Sequence, residues 1–142
     1  MVDELATVLF ALSPGSRTTG AVTAQVTREL TTWALAHGWH PRAEAPVQVP
    51  HSSAQQPRLG YVDLVIRRGP GGPDLAIEID SADKPWSLAK LRYAAAAGMI
   101  AIWVRWGDEV WAGAYDGIDV IQLQAMRRSA LRHRPTQLTF WS

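Results

Sequence analysis

Two stretches decide the fold, LGYVDLVIRR at residues 59–68 and DLAIEID at residues 74–80. The first surrounds one acid, Asp63, with Tyr61, Val62, Leu64, Val65 and Ile66, the aromatic and β-branched composition of a strand. The second embeds Glu78 between Ile77 and Ile79 and ends on Asp80. Between them, Gly69-Pro70-Gly71-Gly72-Pro73 permits only a turn, so the two strands are expected to pair as a hairpin. Alternation puts Glu78 and Asp80 on one face of their strand and Leu75, Ile77 and Ile79 on the other. The same rule groups Asp63 with Tyr61, Val65 and Arg67. A register that sets Asp63 beside Glu78 gathers three carboxylates on one patch. Like charges on neighbouring strand positions repel, and burying them without partners is expensive. A divalent cation, Mg²⁺ or Mn²⁺, is the expected neutraliser, since carboxylate, carbonyl and water oxygens suit it.

The flanking sequence builds an α/β domain around this hairpin. Upstream, Thr19 to Ala36 carries Val22, Val26, Leu30 and Trp33 at helical spacing, and His37-Gly38 closes it. Residues 43–49 read as a first strand, at an edge or bent because of Pro46. Residues 50–58 are polar and read as a loop. Downstream, Pro85 opens a helix to about Ala97, stopped by Gly98, and Met99 to Trp106 has the apolar continuity of a strand buried on both faces. A strand–helix–strand unit of this kind implies a parallel, right-handed crossover. At the N-terminus, residues 1–14 carry Leu5, Val8, Leu9 and Leu12 at helical spacing and read as an added helical arm on a self-sufficient core of about residues 19–106. Residues 107–142 form a C-terminal appendix, with strand material at 109–124 around Asp116-Gly117 and a short helix at 125–134.

Composition sets the outer limits. The chain has 142 residues, 47% apolar and 19% charged, the size and balance of one globular domain. It has no cysteine, which removes disulfides and thiolate metal sites and leaves oxygen or imidazole ligands. No apolar run approaches the roughly 20 residues of a membrane span. The acidic opening, Met1-Val2-Asp3-Glu4-Leu5, lacks the positive charge of a signal peptide and points to the cytoplasm. The formal charge is +1, with twelve arginines against two lysines, Lys84 and Lys90. Arg127, Arg128, Arg132, His133 and Arg134 form a basic cluster, either a solvated face or a patch for nucleic-acid phosphates. A zinc site from His37, His40, His51 and His133 is disfavoured, because their scatter shows no ligand spacing.

The order helix, three strands, helix, strand, with an Asp in one strand and an acid-x-x pattern in the next, resembles the PD-(D/E)xK phosphodiesterases and their restriction-endonuclease-like fold. The resemblance covers residues 19–106, about three-fifths of the chain. It implies Asp63, Glu78, the carbonyl of Ile79 and Asp80 as ligands of Mg²⁺ or Mn²⁺, with Glu29 of the first long helix as a further catalytic acid. Asp80 stands where the family has lysine. Members are known in which the lysine has moved to the following helix, which makes Lys90 the candidate here and Lys84 its competitor. The implied activity is hydrolysis of nucleic-acid phosphodiesters, DNA ahead of RNA. A domain this small that cuts a duplex is expected to act as a homodimer or within a larger complex. The competing expectation is a catalytically inactive domain of this fold that binds nucleic acid or protein. Trp86, Trp111 and Trp141 are candidates for an interface or for base stacking, whereas Trp103 and Trp106 belong in the core.

Overall fold

The fold of residues 1–12, 18–50, 57–107 and 115–124 is described by a computed structural model. It is an α/β fold with one five-stranded mixed sheet between helices. Along the chain run helices α1 (Val2–Phe10) and α2 (Thr19–Ala36), strands β1 (His40–Val49), β2 (Arg58–Arg67) and β3 (Leu75–Asp80), helix α3 (Pro85–Ala96), then β4 (Ile100–Gly107) and β5 (Ile118–Gln124). The sheet order is β1-β2-β3-β4-β5. The first two pairings are antiparallel and the last two parallel. Gly69–Gly71 forms a single 3₁₀ turn that closes the β2–β3 hairpin. The expected 125–134 helix and the tail cluster lie outside the described residues, as does the segment 108–114.

Local chemistry explains the boundaries. The Thr18 hydroxyl accepts a hydrogen bond from the Ala21 amide and starts α2. Gly38 and Gly98, at φ 78° and 91°, end α2 and α3 in the left-handed region that glycine tolerates. Pro46 sits on β1, the edge strand, where its missing amide costs no ladder bond.

Two apolar layers sandwich the sheet. On one face α1 and α2 cover Leu64, Ile66, Leu75, Ile77, Ile79, Ile102, Val104 and Ile121. On the other, Leu91 and Ala94 of α3 cover Val62, Ala76, Ala101 and Trp103. The N-terminal helix departs from the expectation of an added arm. Leu5 and Leu9 are fully buried inside the main core, in one cluster with Leu30 and Ile121. The sequence pattern of residues 19–106 is regular enough to look complete, yet it leaves this face of β4 and β5 short of cover. Among the described residues no helix is long and apolar enough to cross a membrane.

Because α1 is part of the core, Leu9→Ala should cost about 2–5 kcal/mol by urea unfolding. The same change at Leu35, which is exposed, should stay within about 0.5 kcal/mol. Equal effects at the two positions would show α1 to be peripheral.

Candidate active site

The β2–β3 ladder is short. It pairs Ile66 with Leu75, Val65 with Ala76 and Leu64 with Ile77, and stops there, while β2 continues against β1 and β3 against β4. Asp63 and Glu78 would form the next pair. Past Leu64 and Ile77 the strands part, and backbone groups that faced each other lose their partners, a cost that must be met. The acids meet it reciprocally. Glu78 Oε2 accepts from the Asp63 amide at 2.9 Å, and Asp63 Oδ2 accepts from the Ile79 amide at 2.8 Å.

Lys90 enters the same gap from α3. Its Nζ donates to the Tyr61 carbonyl of β2 at 2.7 Å and lies 3.0 Å from Glu78 Oε1 on β3. Despite its length and charge, Lys90 is buried, on the inward stripe of α3 with Ser87, Leu91 and Ala94. Lys84 goes elsewhere: it is exposed and pairs with Asp80 Oδ1 at 3.4 Å. The other Asp80 oxygen accepts from Trp103 Nε1 at 2.8 Å. The question of which lysine serves which acid thus has a geometric answer, Lys90 for Glu78 and Lys84 for Asp80.

Electrostatics follow from this crowding. Burial pushes the Glu78 carboxyl up to about 7, the neighbouring Asp63 charge adds to the rise, and Lys90 opposes it. Asp63 is also raised, by burial first, against the hydrogen bond from Ile79, with Asp80 and Glu44 contributing repulsion. Asp63 is half-buried and opens on a groove of about 520 Å³ lined by Thr23, Thr27 and Arg28 of α2 and by Ala43 and Glu44 of β1.

The predicted site residues separate clearly. Asp63, Glu78 and Lys90 come together, and Asp80 lies close enough to act on Asp63. Glu29 is half-buried on α2 but is not among the residues lining the groove; Thr27 and Arg28 are. Arg127, Arg128, Arg132, His133 and Arg134, and also His51, Trp111 and Trp141, lie outside the described residues. His37 bonds the Trp33 carbonyl and Glu4. Trp86 packs beneath the Arg58 guanidinium, 4.0 Å from its ring centroid, and Trp103 and Trp106 are buried as expected.

One expectation needs correction. Simple alternation groups Asp63 with Tyr61, Val65 and Arg67. In the fold, Val62 packs on the α3 side while Leu64 and Ile66 pack on the α2 side, so β2 changes layers at Asp63. On β1, Glu44, between the Ala43–Leu64 and Ala45–Val62 pairs, takes φ 51°, unusual for a residue with a side chain. The expected divalent cation is one way to relieve the repulsion among these acids, and protein groups can relieve it too. Here two backbone amides, Lys90 and the raised Glu78 do so, and among the described residues no three His, Asp or Glu side chains are arranged to hold a metal ion. The donor chemistry, carboxylates with the Ile79 carbonyl, still suits a hard divalent cation. Sequence reasoning misses Glu44 and Gly60. The latter has a signal, a glycine inside an otherwise apolar strand.

No protein-family model matches the sequence, and no curated protein matches it. Among solved structures, the chain is similar to the crystal structure of a protein of unknown function, AF1548, at TM-score 0.44 and 14% identity. The match covers 68% of this chain and 55% of that one, a likeness too distant to transfer a fold or a function.

A raised carboxyl means that the folded state holds its proton more tightly than the unfolded chain. The stability from Glu78 is complete below about pH 4.5 and is lost as pH rises through about 7, a change of about 3 kcal/mol. Glu78→Gln should flatten this slope in urea unfolding between those limits. An unchanged slope would show that Glu78 is not its source.

Proposed function

We propose that this chain is a metal-dependent nuclease of the PD-(D/E)xK type, with the restriction-endonuclease-like fold, acting on phosphodiester bonds of nucleic acid, DNA ahead of RNA. The observation that carries the reading is the meeting of Lys90 with Glu78 at 3.0 Å beside Asp63. A lysine supplied from the following helix is what the resemblance requires once Asp80 occupies the usual lysine position. Asp63, Glu78, Asp80 and the Ile79 carbonyl would hold Mg²⁺ or Mn²⁺, which when bound would lower the pKa of water and polarise a phosphoryl oxygen.

The chain's own groups supply the remainder. Asp63 opens to the groove and is the acid that a substrate reaches from that side. Glu78, with its raised pKa, is able to hold or release a proton near neutrality. Lys90 brings fixed positive charge next to both acids, where charge builds on the phosphate during displacement. Arg127, Arg128, Arg132 and Arg134 would contact backbone phosphates, and a homodimer or a partner protein would allow both strands of a duplex to be cut.

A second reading has its own observation. The three acids are all satisfied by protein groups, and Lys90 already neutralises Glu78. That arrangement also fits an inactive domain of this fold that binds nucleic acid or protein. Purified protein incubated with DNA and RNA in Mg²⁺ or Mn²⁺ separates the two readings. Asp63→Asn and Glu78→Gln, which keep an oxygen to accept from the strand amides, should each abolish cleavage while leaving the chain folded, and Lys90→Ala should slow it by about 10²-fold or more. Cleavage surviving in both acid variants removes the nuclease assignment. Absence of both cleavage and metal binding in the unaltered protein selects the binding domain.

A further inference from the structure

Lys90 reaches its position over a place on β2 where a side chain is missing. Gly60 is buried in mid-strand, and its φ lies outside the left-handed region, so the backbone does not need a glycine there. Space does. A Cβ on residue 60 would come within 2.6 Å of Trp86 Cζ2 and 3.2 Å of Lys90 Cδ. The Trp86 ring and the lysine stem therefore lie directly on bare β2 backbone. Trp86 also packs against Arg58, whose guanidinium is 4.0 Å from the ring centroid, while Lys90 Nζ lies 5.9 Å from that centroid. The next residue, Tyr61, offers the carbonyl to which Lys90 donates.

We propose that Gly60 and Trp86 are positioning residues that set the reach of Lys90 into the gap between β2 and β3. Glycine removes the obstruction, the indole forms a wall along the aliphatic stem, and the ammonium arrives where the Tyr61 carbonyl and Glu78 converge. An alanine at position 60 would push the indole and the lysine stem outward. Both are side chains able to move, so the fold tolerates the change while the ammonium leaves Glu78. This placement stands on packing alone. Only its consequence for catalysis rests on the nuclease reading.

The two lysines make the test direct. Lys84 is exposed and Lys90 buried, so acetic anhydride labelling followed by peptide mass spectrometry reads the second against the first. In the unaltered protein Lys90 should label far more slowly than Lys84. Gly60→Ala should raise the Lys90 rate relative to Lys84 by about tenfold, with cooperative unfolding retained. Adding Trp86→Phe, which lacks the atom closest to the new methyl, should restore protection. An unchanged Lys90 rate in Gly60→Ala overturns the proposal, as does a raised rate that Trp86→Phe leaves raised. If Gly60→Ala fails to fold, Trp86→Ala carries the test: faster Lys90 labelling supports the wall, and a rate equal to that of the unaltered protein overturns it. Labelling uses neither metal nor nucleic acid, so the positioning of Lys90 is tested even in a chain without nuclease activity. In an active chain, Gly60→Ala should lower cleavage toward the Lys90→Ala level.

Discussion

The parting of β2 from β3 after Leu64 and Ile77 is the constraint around which this site is organised. A hairpin that opens leaves amides and carbonyls facing a gap too deep for ready solvation, and buried backbone groups without partners are rarely tolerated. Three of those groups are met by charged side chains: the Asp63 amide by Glu78, the Ile79 amide by Asp63, and the Tyr61 carbonyl by Lys90. The residues able to do chemistry here are thus the ones that hold the opened hairpin together. Removing one changes the backbone's hydrogen bonding as well as the charge.

That double duty also explains how so much negative charge stays in a small volume. Asp63, Glu78 and Asp80 would repel strongly in a dry interior. The repulsion is relieved by amide dipoles, by one buried ammonium and by a carboxyl whose proton is held up to about pH 7. Burying such a pair is expensive, and it is retained where each partner makes further hydrogen bonds. Both do: Lys90 to Tyr61, and Glu78 to Asp63. The pair contributes geometry more than net stability.

The change of layers in β2 gives the site its opening. Val62 lies against α3 and Leu64 against α2, so Asp63 falls at the crossover and faces the groove beside α2, while Glu78 and Lys90 stay on the α3 side. Glu44, strained at φ 51° on the neighbouring strand, marks the same crossover. A regular strand would have set Asp63 beside Glu78 on the α3 side, with Val65 and Ala76, and away from the groove.

Local pattern by itself determined much of this protein. The boundaries of α2, the turn between Arg68 and Asp74, the embedding of Asp63 and Glu78 in apolar strands and the helix opened by Pro85 all follow from propensity, periodicity and turn chemistry, which act over a few residues. The likeness to a nuclease family rests on that order of elements and remains a proposal. Tertiary structure alone decided the rest. Whether Leu5 and Leu9 complete a core depends on which strand faces remain uncovered. Whether a lysine on a helix is exposed or buried depends on what lies opposite, and opposite Lys90 lies Gly60, on a strand far earlier in the chain. Where a ladder stops and a strand changes sides depends on pairing with residues far along the chain, which no short window contains.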